Sequence, residues 1–122
     1  MENSKIYKMA EDLEILVHNI TKEFPKDEKF RSVDQLKRSS SLTTNNIAEG
    51  YNRYSFKEKI RTLVIAKGEA EETKRNILKS AKKGFLDTKQ AEGISNQYTE
   101  LLKGISGYIR FLKDQSKEKI KT

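Results

Sequence analysis

The side chains in this sequence with the most evident chemistry are cations. At ~100° of helical rotation per residue, Lys57, Arg61, Arg75, Lys79, Lys82 and Lys83 fall within roughly a quarter-turn of arc, opposite the apolar positions of the same segment. Cations in such a row can neutralise phosphates and displace their counterions, which gives salt-sensitive and largely sequence-independent binding to nucleic acid. The competing reading is a solvated helix face whose field is diluted by Glu58 and Glu72. Four tyrosines could add base stacking. Tyr98 and Tyr108 follow an apolar stripe and belong in a core or an interface, as Tyr51 follows another. Tyr54 sits in a turn beside Arg53 and Lys57 and is expected to be exposed.

A second group is polar and amphoteric. Asn46, Glu49 and Glu69 would need amide or guanidinium partners if held among packed helices, and Arg38 and Arg53 are the candidates. The five residues are expected to form a structural polar network that fixes helix register or a subunit contact; a ligand or catalytic site is the alternative. Lys67, Glu71 and Lys74 lie on or beside an apolar arc. Either Lys67 and Glu71 pair at four-residue spacing on a rim, or another subunit supplies their counter-charges.

Catalysis and metal binding have little to stand on. A carboxylate-bridged di-metal bundle needs Glu-x-x-His pairs on two helices, and the one histidine, His18, follows Glu14 at the wrong spacing and off the apolar stripe. His18 is expected on the surface. No phosphate loop, dinucleotide fingerprint or zinc motif is present, and nothing assembles a nucleophile, a base and an oxyanion site. The sequence therefore predicts no enzyme, no metal and no cofactor.

Amphipathic helices must position these residues. The first is expected over about 4–23, its face formed by Ile6, Met9, Leu13, Leu16, Val17 and Ile20 at three- and four-residue steps, with Pro25 ending it. The second, about 29–51, carries Phe30, Val33, Leu36, Ile47, Ala48 and Tyr51 on one side. Its middle, from Ser39 to Asn45, puts small hydroxyl side chains where apolar ones belong, which predicts a tight helix crossing, a bend or a subunit contact. Gly50 and Asn52 suit a left-handed helix end. Ser55 and Glu58 have capping-box spacing for a third helix over about 55–83, whose arc includes Phe56, Ile60, Leu63, Val64, Ala70 and Ile77 and which Gly84 closes. Asp87 caps a fourth over about 87–113, followed by a charged tail over 114–122. Four such stripes on short connections predict one all-α domain, an antiparallel up-down-up-down four-helix bundle.

Composition agrees with that architecture. The chain has 122 residues, 34% hydrophobic and 35% charged, one proline and no cysteine. Such a balance suits narrow stripes on long polar helices and leaves too few turn residues for a many-stranded β fold. The polar start Met1–Lys5 has no signal-peptide core, and no apolar run approaches the ~20 residues of a membrane span. With no disulfide to form, a cytoplasmic protein that does not engage membranes is expected. The formal charge of +7 favours a polyanionic partner or simply maintains solubility.

Particular motifs also carry a likeness. Gln35-Leu36-Lys37-Arg38-Ser39-Ser40 leading to Asn46-Ile47-Ala48-Glu49-Gly50-Tyr51, then Ser55-x-x-Glu58, Ile65-Ala66-Lys67-Gly68-Glu69-Ala70 and Lys83-Gly84-Phe85-Leu86 resemble the four-helix-bundle family encoded in 23S-rRNA intervening sequences. The resemblance covers nearly the whole chain. It departs at Ser41-Leu42-Thr43-Thr44-Asn45, where many relatives resemble Ser-Ile-Pro-Ala, so a proline-set kink is not expected. The likeness implies an up-down bundle assembled as a ring-shaped homopentamer. It also implies distant kinship with the accessory variability determinants of diversity-generating retroelements, which bind nucleic acid and a reverse transcriptase. The family's ribosomal label reflects genomic location in an rRNA insert. Together these readings lead to a non-enzymatic oligomer that binds RNA or another nucleic acid, or acts as a scaffold, through basic helix faces. The alternative is a protein–protein interaction module whose basic surface is incidental.

Overall fold

Local signals set where the helices begin and end. The computed structural model describes residues 4–121, with side chains over 5–117; Met1–Asn3 and Thr122, read above as parts of a polar start and a charged tail, lie outside the described residues. Helix α1 (Ser4–Ile20) runs into a 3-10 turn over Thr21–Glu23, and a second such turn covers Lys26–Glu28. Helices α2 (Ser32–Asn52), α3 (Phe56–Lys82) and α4 (Thr88–Lys121) follow. Phe24, ahead of Pro25, is extended as a residue before proline prefers. The Ser55 hydroxyl accepts the Glu58 amide at 3.1 Å and opens α3, while Asp87 accepts the Gln90 amide at 3.1 Å and opens α4. Gly84, at φ +82°, provides the left-handed residue that closes α3.

Three expectations are corrected. Gly50 and Asn52 do not form a left-handed end, since Gly84 is the one described residue with positive φ. Gly50 lies inside α2 with Leu63 of α3 packed over it, and a Cβ there would stand 3.0 Å from Leu63 Cγ. The α2 terminus is instead finished by Lys59, whose ammonium donates to the Gly50 and Tyr51 carbonyls at 3.4 and 3.0 Å and places a cation at the negative end of the helix. Phe30 is not on the apolar face of α2: the helix starts at Ser32, after Arg31 turns the chain (φ −122°, ψ −104°), and Phe30 is left 84% exposed. Finally, α4 does not stop near Lys113. No glycine or proline follows, and the Lys, Gln and Glu that do are good helix formers, so the helix continues to Lys121.

Each helix packs on its neighbour in sequence, α1 on α2, α2 on α3 and α3 on α4, and α4 closes against α1 along the thinnest seam. This is the all-α antiparallel four-helix bundle. Leu13, Val17, Leu36, Leu63, Ile77 and Leu101 fill its centre. The α2–α3 seam is the most extensive, and the small hydroxyl residues explain it. Ser39, Ser40, Thr43 and Thr44 are all buried, and Ser39 faces Thr73 of α3. The Thr43 and Thr44 hydroxyls donate to the carbonyls of Ser39 and Ser40, at 2.8 and 3.3 Å, and the Ser39 and Thr73 hydroxyls share a 2.7 Å bond across the seam. Small side chains that satisfy their own polarity let the two backbones approach. Of the tight crossing, bend or subunit contact that the sequence leaves open, a close crossing of α2 and α3 forms within one chain.

Tyr98 is the exception to polar satisfaction. It is buried in the core, its hydroxyl has no hydrogen-bond partner among the described residues, and burial, with Glu14 adding repulsion, pushes the phenol well above its ordinary pKa. Deleting a buried unpaired hydroxyl removes a desolvation cost of about 1–3 kcal/mol. Tyr98→Phe is expected to raise the thermal midpoint, measured by circular dichroism; a lower midpoint would show that the hydroxyl is satisfied. Among the described residues no helix is long and apolar enough to cross a membrane.

Candidate nucleic-acid interface

Because α2 and α3 are antiparallel, the ends of α3 lie beside opposite ends of α2, and the α3 cations divide between them. Lys57, Arg61, Arg75, Lys79, Lys82 and Lys83 are all exposed, and none is in an ion pair among the described residues. They do not make one continuous stripe. Arg61 and Arg75 are separated by ~20 Å along the helix axis at 1.5 Å per residue. The face between them carries Val64 and Ile65, 52% and 49% exposed, then Gly68 and Glu72. Lys57 and Arg61 therefore sit at one end with Arg53 and Tyr54, the latter fully exposed as expected. Arg75, Lys79, Lys82 and Lys83 sit at the other.

That second end has a shape. A groove of about 370 Å³ lies between the first turn of α2 and the last turns of α3, with Arg31 and Gln35 on one wall and Asn76, Lys79 and Lys83 on the other. The Glu28 carboxylate is held in it by the Ser32 hydroxyl, which donates at 2.7 Å, and by the Ser32 amide at 3.4 Å. It supplies the negative charge that a helix start favours, in place of a side-chain cap on Arg31. The Ser32 hydroxyl bond, outweighing desolvation and helped by Lys83 and Arg31, holds this carboxyl below its usual range. Sequence reasoning missed Phe30, Arg31, Gln35 and Asn76. The two walls lie far apart in sequence, and no periodicity signals that pairing.

The five residues expected to form a network divide into local contacts. Arg38 pairs with Asp34 at 3.1 Å, Arg53 pairs with Glu49 at 3.0 Å, and the Asn46 amide donates to the Leu42 carbonyl at 2.8 Å. Glu69 forms no ion pair among the described residues, and its partial burial, with repulsion from Glu72, raises its pKa against a smaller attraction from Arg38. A carboxylate whose folded pKa is raised destabilises the fold when ionised, and the penalty disappears as pH falls through the folded value toward the unfolded one, about 4.3. Glu69→Gln is therefore expected to be more stable than the parent at pH 7, with the difference vanishing near pH 4. Thermal melts across that range check it, and a variant less stable at pH 7 would place a counter-charge on Glu69. Lys67 is half-buried and lines a groove with Val64, Ser106, Ile109, Arg110 and Lys113, while Glu71 is exposed. Tyr108 stacks on Phe111 at 6.1 Å and meets Tyr51 edge-on at 5.8 Å. His18 is exposed, and among the described residues no group of three or more His, Asp or Glu side chains is placed to hold a metal ion.

Comparison with known proteins agrees with this architecture. The model of the family described as 23S rRNA-intervening sequence protein matches residues 2–107. Among solved structures, the chain is similar to a protein of unknown function from the S23 ribosomal protein family of Bacteroides thetaiotaomicron, with a TM-score of 0.83 and 25% identity, covering 90% of this chain and 99% of that one. The comparison with curated proteins returns no match. The chain belongs to the 23S rRNA-intervening sequence protein family.

Proposed function

We propose that this member of the 23S rRNA-intervening sequence protein family is a non-enzymatic, oligomeric cytoplasmic protein that binds RNA, or scaffolds on it, through the basic ends of α3. The observation that carries the reading is the exposure of six cations, five on α3 and Lys83 just after it, with no ion-pair partner among the described residues. A cation already paired has little left to offer a phosphate, whereas an unpaired one releases a counterion when a phosphate replaces its solvent. Lys57, Arg61, Arg75 and Lys79 are the principal phosphate contacts in this reading, with Lys82 and Lys83 beside them.

Assembly follows from a different feature. Val64 and Ile65 are half exposed on α3, and Phe111 is 47% exposed on α4. The family resemblance implies a homopentameric ring, and burying these side chains between copies would leave the basic ends of α3 on either side of the contact. The same apolar side chains favour a second reading, an interaction module for another protein, in which the charge is incidental.

Light scattering of the purified chain separates the two. A mass near five times 14.1 kDa, with nucleic acid that co-purifies at low salt and is lost at high salt, is the expected result. A monomer whose absorbance ratio shows no nucleic acid at any salt contradicts the first reading and leaves the second.

A further inference from the structure

The geometry points to the groove between α2 and α3 as a nucleotide subsite for single-stranded nucleic acid, in which an unpaired base stacks on Phe30 and its phosphate is held by Lys79 and Lys83. The inference rests on the nucleic-acid reading above and adds to it a site and a strand preference.

Phe30 is the starting point. An aromatic side chain 84% exposed gains nothing from burial in the folded chain, and it is held in a turn between the 3-10 segment and α2. The Lys29 ammonium lies 5.5 Å from the ring centroid. A ring with a cation near it and most of its surface open is suited to accept a base, and stacking tolerates any base because each has a π-face.

The groove beside it provides the rest of a nucleotide site. Arg31, Lys79 and Lys83 place three cations around about 370 Å³, against the single carboxylate of Glu28. That carboxylate is engaged by the Ser32 hydroxyl and amide, so its charge is partly met before a ligand arrives. Gln35 and Asn76, on opposite walls, each offer an amide donor and acceptor that a base edge can use. The volume lies within the range of small-ligand sites. A duplex cannot use this arrangement, because its bases are already stacked and only its phosphates are presented. The basic residues at the other end of α3, Lys57 and Arg61, have Tyr54 nearby in the turn and serve strand phosphates of either form.

The chain has no tryptophan, so Phe30→Trp creates a single reporter at the proposed stacking position. The experiment titrates the full chain, its Phe30→Trp, Phe30→Ala and Lys79→Ala/Lys83→Ala variants with a labelled unpaired 12-nucleotide RNA, the DNA of the same sequence, and the RNA duplex, at fixed low salt. Tryptophan fluorescence of Phe30→Trp is expected to be quenched by both single strands and not by the duplex. Phe30→Ala is expected to weaken single-strand binding roughly ten- to hundred-fold, the range of one lost stack, while duplex binding and the salt slope stay unchanged. The lysine variant weakens both and lowers the single-strand salt slope by about 0.7, the contribution of one phosphate contact. A difference between the RNA and DNA arms identifies which single strand the subsite takes. If the parent binds RNA and Phe30→Ala binds as tightly, or loses duplex and single strand alike, the subsite is wrong and the broader reading stands. If the parent binds none of the three, both fall.

Discussion

Replacing Ser39 by leucine is expected to cost about 3 kcal/mol and to lower the thermal midpoint by roughly 10 °C, a large effect for a change from polar to apolar in a protein core. Ser39 is 1% exposed at the α2–α3 seam, and its hydroxyl meets that of Thr73, which is itself fully buried. A leucine there has no volume to enter unless the two helices separate. Their separation would disturb the Leu63 contact over Gly50 on the same seam. Ser39→Ala is the control. Thr73 keeps its bond to the Glu69 carbonyl at 2.8 Å, so alanine forfeits one hydrogen bond and should cost only about 1 kcal/mol. Equal midpoints for the leucine and alanine variants would show that the seam is looser than the structure has it.

The second large effect is on binding. Reversing Lys57, Arg61, Arg75 and Lys79 to glutamate changes the formal charge by two at each position, from +7 to −1. All four side chains are exposed and outside ion pairs among the described residues, so the fold should persist with a midpoint close to that of the parent. Affinity for RNA at low salt is expected to fall at least roughly 100-fold, and the salt slope by about 3, since each phosphate contact on a single strand contributes ~0.7. Circular dichroism monitors the fold and fluorescence anisotropy the binding. A folded variant that binds like the parent would move the phosphate contacts to another face.

What could be read from the chain without a structure depended on how local each signal was. The Ser55 and Asp87 caps and the Gly84 closure need only a few adjacent residues, and each forms as its spacing dictates. The hydroxyl run from Ser39 to Asn45 signals a close approach, a bend or a subunit contact, and only the facing helix decides among them. Its partner on the facing helix, Thr73, carries no local signal. Gly50 misled because glycine near a helix end has two uses, left-handed backbone and close packing, and only Leu63, thirteen positions on, decides between them. Phe30 misled for a related reason: its phase matched that of α2, but Arg31 breaks the helix before that phase can apply. Periodicity assigned Val64 to the apolar arc and could not tell which edge of a broad arc faces solvent. The groove was the least legible feature, since Arg31 and Gln35 meet Asn76, Lys79 and Lys83 only through the antiparallel pairing of two whole helices.

Uptake of phosphates by the unpaired cations at the ends of α3 is measured directly by the salt dependence of RNA binding. Nuclease-treated full-length protein is titrated with a labelled RNA at several salt concentrations. The predicted result is binding at low salt whose logarithm falls linearly with the logarithm of salt, at a slope corresponding to several phosphate contacts. RNA that is not retained at low salt, or an affinity indifferent to salt, would contradict it.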